Sequence, residues 1–162
     1  MKYHIEKNTI QETLVIPLYA RALCTRQFPH LFSDPLSVEL LEQLDYDFSA
    51  LERASGSLTQ TFGAMEAAMR QSDLAWEVRD YLADHPQAAV VNLGCGLDQT
   101  GRSCDNGQCR LYNIDLPDVM AVREALLPAG EREKNLTADL NDLSWFDAID
   151  TPLEDGAVFF AA

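Results

Sequence analysis

The sequence predicts an α/β fold in two parts: a helical segment over residues 1–85 and an open, largely parallel sheet over residues 86–162. Upstream of residue 86 apolar side chains recur at helical spacing, and downstream short apolar runs alternate with helix-like stretches. The run Ala88-Ala89-Val90-Val91 leads into Asn92-Leu93-Gly94-Cys95-Gly96-Leu97-Asp98, a buried strand ending in a Gly-x-Gly turn. Glycines at that place let the backbone curl tightly and approach a ligand. Asp115 closes a second strand-like run, Leu111-Tyr112-Asn113-Ile114, 21 residues after Gly94. An acid at that distance suits hydrogen bonds from a ribose, so the two features predict a nucleoside cofactor on a Rossmann-like sheet.

In chain order, Thr9-x-x-Glu12 has the form of a capping box. The helix it opens is expected to kink or stop near Pro17, whose ring opposes the carbonyl of Thr13. Ser33-Asp34-Pro35 starts a second helix with proline at its first position, and Leu36, Leu40 and Leu44 recur along it. Ser57-x-x-Gln60 starts a third, whose face of Phe62, Met65 and Met69 is assigned to the core. A fourth is lined by Leu74, Val78, Tyr81 and Leu82 and ends at His85-Pro86.

Beyond the glycine turn, Asn106-Gly107 signals a two-residue hairpin that would pair Cys104 with Cys109. Pro117 suits a first helical position, with Val119, Val122 and Leu126 as the buried face. Leu116 is then the N-cap, which leaves the Asp115 carboxylate free to face a crevice. Asp118 falls in the first turn, where its charge suits the helix dipole. A strand near Lys134 to Ala138 leads to Asp139-Leu140, and Trp145 and Phe146 start a short helix. The run Ala157-Val158-Phe159-Phe160-Ala161 is apolar enough for a central strand buried on both faces.

The missing third glycine narrows the cofactor. A dinucleotide turn has the pattern Gly-x-Gly-x-x-Gly, which seats a helix N-terminus against the pyrophosphate. Counting from Gly94, the sixth position is Gln99, and Gly101 falls two places late. S-adenosylmethionine carries a nucleoside and an amino acid but no phosphate. It needs the turn and the acid, and not the phosphate cradle.

These residues match a known family. The chain resembles the leucine carboxyl methyltransferase and polyketide-type O-methyltransferase group of class I methyltransferases. The matching stretches are Glu12 to Ala22, Val91 to Asp98, Asp105-Asn106-Gly107 and Tyr112 to Val119. Where the family commonly continues Gly-Leu-Asp with Thr-Arg, this chain has Gln99-Thr100. The resemblance implies that Gly94, Cys95 and Gly96 shape the turn under the methionine part of S-adenosylmethionine. It further implies that Asp115, beside Leu116, holds the ribose, that Asp139 accepts from the adenine amino group and that the Leu140 backbone contacts the ring. Arg70 matches the family's arginine for the cofactor carboxylate, a pairing that two parallel hydrogen bonds would serve. For Asp139 a turn or helix cap, and for Arg70 a solvated cation, stand as the alternatives. The region of Tyr19 and Arg21 resembles the family's lid over the substrate, with core packing as the other reading. The implied reaction moves a sulfonium-bound methyl to an oxygen of a small molecule or carboxylate, mainly through alignment and exclusion of water. No residue is named as a general base.

Length sets a further expectation. A doubly wound cofactor fold has about six strands, whereas four are legible in these 162 residues. The chain is therefore expected to be the N-terminal part of a methyltransferase, inactive alone and prone to self-association through its last strand. Twelve Lys and Arg against 26 Asp and Glu give a net charge of −14, a surface that repels phosphate backbones and excludes nucleic acid as a partner. No run of 18 apolar residues and no signal-peptide pattern is present, which predicts a cytoplasmic protein without a membrane partner. Cys24, Cys95, Cys104 and Cys109 lack paired metal spacing, so no metal is expected. Cys104 and Cys109 are either reduced thiols or a redox-labile bridge. The rival to an enzyme is an inactive remnant or interaction module, and a dinucleotide or nucleotide-sugar enzyme is disfavoured by Gln99.

Overall fold

The computed structural model describes residues 2–162, and its chain divides into two units at Ser72, inside its longest helix. The first unit holds β1 (Tyr3–His4), a 3-10 turn at Ile10–Leu14, α1 (Val15–Gln27), α2 (Pro35–Gln43), β2 (Leu44–Asp45), α3 (Ser49–Ala54) and the start of α4 (Leu58–Asp84). Val15, Leu18 and Ala22 of α1 are buried together with Leu40 and Leu41 of α2. The side chain of Asp34 accepts from the Ser37 amide and caps α2. A short parallel pairing of β1 with β2 was not foreseen; it takes Leu44 out of the helix and buries it as a strand residue.

Four expectations for the helical segment are corrected. The capping box does not form: Glu12 accepts from the Asn8 amide and the Tyr46 hydroxyl, while the Thr9 hydroxyl donates to the Glu6 carbonyl. Proline does not stop α1 but lies in its first turn, where its missing N–H has no intrahelical partner to lose. The third and fourth helices are one, α4, capped at its start by Ser57 Oγ accepting from the Gln60 amide. Phe62 and Met69 are 70% and 52% exposed, and the buried stripe of α4 is instead Ala64, Ala68, Ala75, Val78 and Leu82. Alanines at the inward positions set the helix phase, which turns the bulkier side chains outward.

The second unit continues α4 into β3 (Ala89–Leu93), α5 (Thr100–Ser103), β4 (Arg110–Asp115), α6 (Pro117–Leu126), β5 (Glu133–Thr137), 3-10 turns at Leu143–Ala148 and Leu153–Asp155, and β6 (Ala157–Phe160). Among the described residues these strands form one parallel sheet in the order β5-β4-β3-β6. Strand order reverses beside β3, so the turn that follows β3 opens at a topological switch point, where α/β sheets bind ligands. One face packs Val90, Leu111 and Phe160 against Ala75, Val78 and Leu82 of α4. On the other, Ala89, Val91, Tyr112 and Ile114 pack against Trp145. The chain is thus an α/β protein with a Rossmann-like parallel sheet, as its alternating pattern foretells.

One local expectation fails in this unit. No hairpin forms at Asn106-Gly107; these residues link α5 to β4, which runs parallel to β3. Asn106 Oδ1 accepts from the Gln108 and Cys109 amides and Asp105 Oδ1 from the Gly107 amide, a loop locked by side chains rather than by a strand pair. Cys104 and Cys109 are buried free thiols, so the bridge is not formed. The run at 157–160 forms β6 as expected; among the described residues it pairs with β3, and Phe159 is 44% exposed. Among the described residues no helix is long and apolar enough to cross a membrane, and no group of three or more His, Cys, Asp or Glu is placed to hold a metal.

Candidate functional site

Three segments meet at the carboxyl edge of the sheet because three adjacent parallel strands end there in register. Leu93 is level with Ile114, and Asp115 with Thr137. The turn after β3 therefore lies beside Asp115-Leu116 after β4, and Asp139-Leu140 follow the end of β5. The Ala138 amide donates to the Asp115 carbonyl at 3.0 Å, which carries the pairing past the last strand residue.

Gly94 and Gly96 adopt φ of 64° and 47°, the left-handed region in which a Cβ is strained. No heavy atom lies within 4 Å of where a Cβ on Gly94 would stand, so the backbone presents an open face there. Cys95 between them points inward: its amide donates to the Ile114 carbonyl and its thiol lies 3.8 Å from Met120 Sδ. Burial pushes that thiol up to about 12, which removes it as an acid or base.

The acids of this region have distinct jobs. Asp115 takes the Gly96 amide on Oδ2 and the Leu116 amide on Oδ1, both at 2.8 Å. Its carboxylate does not cap α6, as expected, and it bridges the two strand ends; each oxygen keeps a lone pair for a further donor. Asp98, 5% exposed, accepts from the Asn92 amide group and from both the amide and the hydroxyl of Thr100. A negative charge consequently occupies the start of α5. Asp139 Oδ1 accepts from the backbone and side-chain N–H groups of Asn141, which hold its carboxyl below the usual range. Leu140 is partly exposed beside it.

Beneath the turn lies a buried polar layer that sequence reasoning missed. Arg123 of α6, fully buried, donates through Nη1 to the carbonyls of Gly96 and Asp98 at 2.9 and 2.7 Å. Its Nε reaches Asn135 Oδ1, and its Nη2 pairs with Glu133 at 3.4 Å. Glu133 also takes Arg102 Nη2 at 2.6 Å, the Asn113 side chain and the Gly130 amide. Burial alone would raise its pKa, but the Gly130 amide and Arg102 outweigh it and hold the carboxyl below its ordinary value. The layer rests on Asn92, Asn113 and Asn135, which stand side by side in β3, β4 and β5. A signal was present: in each strand an Asn precedes by two residues the position that ends the strand or opens the turn.

The remaining site candidates belong to the first unit. Arg70 lines a cavity of about 310 Å³ with Ile16, Pro17, Ala20, Gly63 and Ala67. Tyr19 is buried and stacks on Phe48, ring centroids 5.9 Å apart. Arg21 is buried and pairs through Nε with Asp34 Oδ2 at 3.2 Å, tying α1 to the cap of α2.

Comparison with known proteins accords with this geometry. Residues 15–154 match the leucine carboxyl methyltransferase family. The chain is 34% identical over 142 residues to the tetracenomycin polyketide synthesis O-methyltransferase TcmP of Streptomyces glaucescens, an alignment that covers 86% of this chain and 50% of that protein. It therefore spans about half the length of that curated relative. With the match running from α1 through the glycine turn and Asp115 to the last 3-10 turn, the chain belongs to the leucine carboxyl methyltransferase family.

Proposed function

We propose that this chain carries the cofactor-binding elements of an S-adenosylmethionine-dependent O-methyltransferase acting on a small molecule or a carboxylate. The observation that carries the choice of cofactor is Asp98. Its carboxylate accepts the Thr100 amide at the start of α5, where a dinucleotide enzyme would place its pyrophosphate. With the Thr100 amide already taken by that carboxylate, a donor that a pyrophosphate would use there is spent, which favours a phosphate-free cofactor.

The residues present fit S-adenosylmethionine. The open face at Gly94 admits a ligand against the backbone, and Asp115, an acceptor-only carboxylate, suits two ribose hydroxyls. Asp139 and Leu140, at the end of the third strand, suit the adenine amino group and ring. Arg70 suits the cofactor carboxylate by charge and fork geometry. The bound cofactor supplies an electrophilic methyl group on sulfur. In this reading the chain's own residues bind and orient the cofactor and keep water out, and none of the described residues is assigned as a general base. For Tyr19 and Arg21 their buried stacking and ion pair support a framework role, with Ile16, Pro17 and Ala20 of the same helix turned toward the cavity.

Titration calorimetry with S-adenosylmethionine and with NAD tests the reading. Heat of binding with S-adenosylmethionine and none with NAD is expected. The reverse result would overturn it.

A further inference from the structure

We infer that Arg123 is a positioning residue for the cofactor turn, holding Gly94 to Asp98 in the shape that receives the ligand; the inference rests on the methyltransferase reading above. Arg123 touches no open surface, so it acts through the backbone it grips. The two peptide groups of Gly96 are held from opposite sides: its N–H by Asp115 and its C=O by Arg123. The same guanidinium takes the Asp98 carbonyl two residues on. Four acceptors therefore converge on one buried cation: two turn carbonyls, the Asn135 amide oxygen and Glu133.

A buried ion pair is a poor way to gain stability, because an apolar pair of similar volume does as well or better. What this one provides is two donors aimed at the carbonyls of a turn that needs left-handed backbone. A turn held in that shape before the ligand arrives loses less freedom on binding. Without the grip, only a fraction of molecules present the competent turn, and apparent affinity falls by that fraction. Lysine offers a point charge instead of a planar fork and cannot serve all four acceptors.

The test compares wild type with Arg123→Lys and Arg123→Met. It uses calorimetry with S-adenosylmethionine, amide hydrogen exchange and thermal unfolding, each binding measurement made well below the variant's Tm. Affinity is expected to fall roughly tenfold for Lys and further for Met, as the competent fraction shrinks. In the free Lys variant the Gly96 and Asp98 amides should exchange faster, while Val91 and Tyr112 in the sheet keep wild-type rates. If Met fails to fold, the Lys variant decides alone. A folded Lys variant with wild-type affinity and unchanged turn exchange would overturn the inference. So would faster exchange spread evenly over sheet and turn, which marks a role in stability alone. Should wild type not bind S-adenosylmethionine, the cofactor reading falls, and the exchange pattern still decides whether Arg123 sets the turn.

Discussion

The amide of Gly96 donates to Oδ2 of Asp115 over 2.8 Å, joining the turn after β3 to the end of β4. The acid that the resemblance assigns to the ribose is therefore also a strut of the glycine turn. Loss of its carboxylate has two consequences, a missing acceptor for the ligand and a loosened turn.

Asp115→Ala is accordingly expected to weaken S-adenosylmethionine binding by roughly 1.5–3 kcal/mol, the range for a hydrogen bond to a charged group. Asp118→Ala, an exposed change in the first turn of α6, should alter affinity far less. Calorimetry on both variants checks the contrast, and equal losses would remove the ribose role from Asp115.

Gly94 and Gly101 separate conformation from space. Alanine at Gly94 meets open surroundings but must hold φ near 64°, at a cost of about 1–2 kcal/mol. Alanine at Gly101 has ordinary contacts with Val90 and Leu111 and gains helix propensity, so stability should hold or rise by roughly 0.5–1 kcal/mol. Urea unfolding of the two variants measures the difference.

Glu133 predicts a pH dependence. Its carboxyl is held below the ordinary value of 4.5, so its contribution to stability is present above that pH and disappears as pH falls through the folded value. Glu133→Gln strands part of the buried positive charge of Arg123 and should cost about 3 kcal/mol at pH 7. The gap between variant and wild type should narrow in acid, which denaturation at pH 7 and pH 4 would show.

On α4 the outward side chains should matter little. Phe62→Ser is expected to change stability by less than about 0.5 kcal/mol, as befits a residue 70% exposed. Val78→Ala, in the core beneath the sheet, should cost roughly 1–3 kcal/mol. Thermal unfolding of the pair would reveal a reversed order if the helix phase were misassigned.

All four thiols should resist modification in the native state. Each is buried, and burial raises the pKa of every one of them. Labelling with iodoacetamide at pH 8 should be slow until denaturant is added, and mass spectrometry counts the adducts.

The parts legible in the sequence are those fixed by local chemistry. Ala88 to Val91 is apolar on both faces because the strand is covered on both, and Pro117 marks the start of α6 because its ring suits that position. Phe62 and Met69 misled because helix phase is set by which stripe meets a neighbour, and small alanines won that place. Asn106-Gly107 misled because a left-handed Gly107 serves a helix-to-strand loop as well as a hairpin. Of the site, the glycines and Asp115 carried their own signature, whereas Arg123 and Glu133 carry no local pattern that pairs them. Only the fold brings those two together, and only the repeated Asn positions hinted at the layer between them.

The asparagine row has a consequence for assembly of the sheet. Side chains alternate faces along a strand, so a slip of one residue between β3 and β4 would drive an amide into the apolar layer of Val91 and Ile114. Strands separated by a helix have no tight turn to align them, and here three matching amides act as alignment marks. The marks keep Asp115 level with Thr137 and within one hydrogen bond of Gly96; a sheet assembled out of step would have strands and helices in place but the acid and the glycines on different rungs.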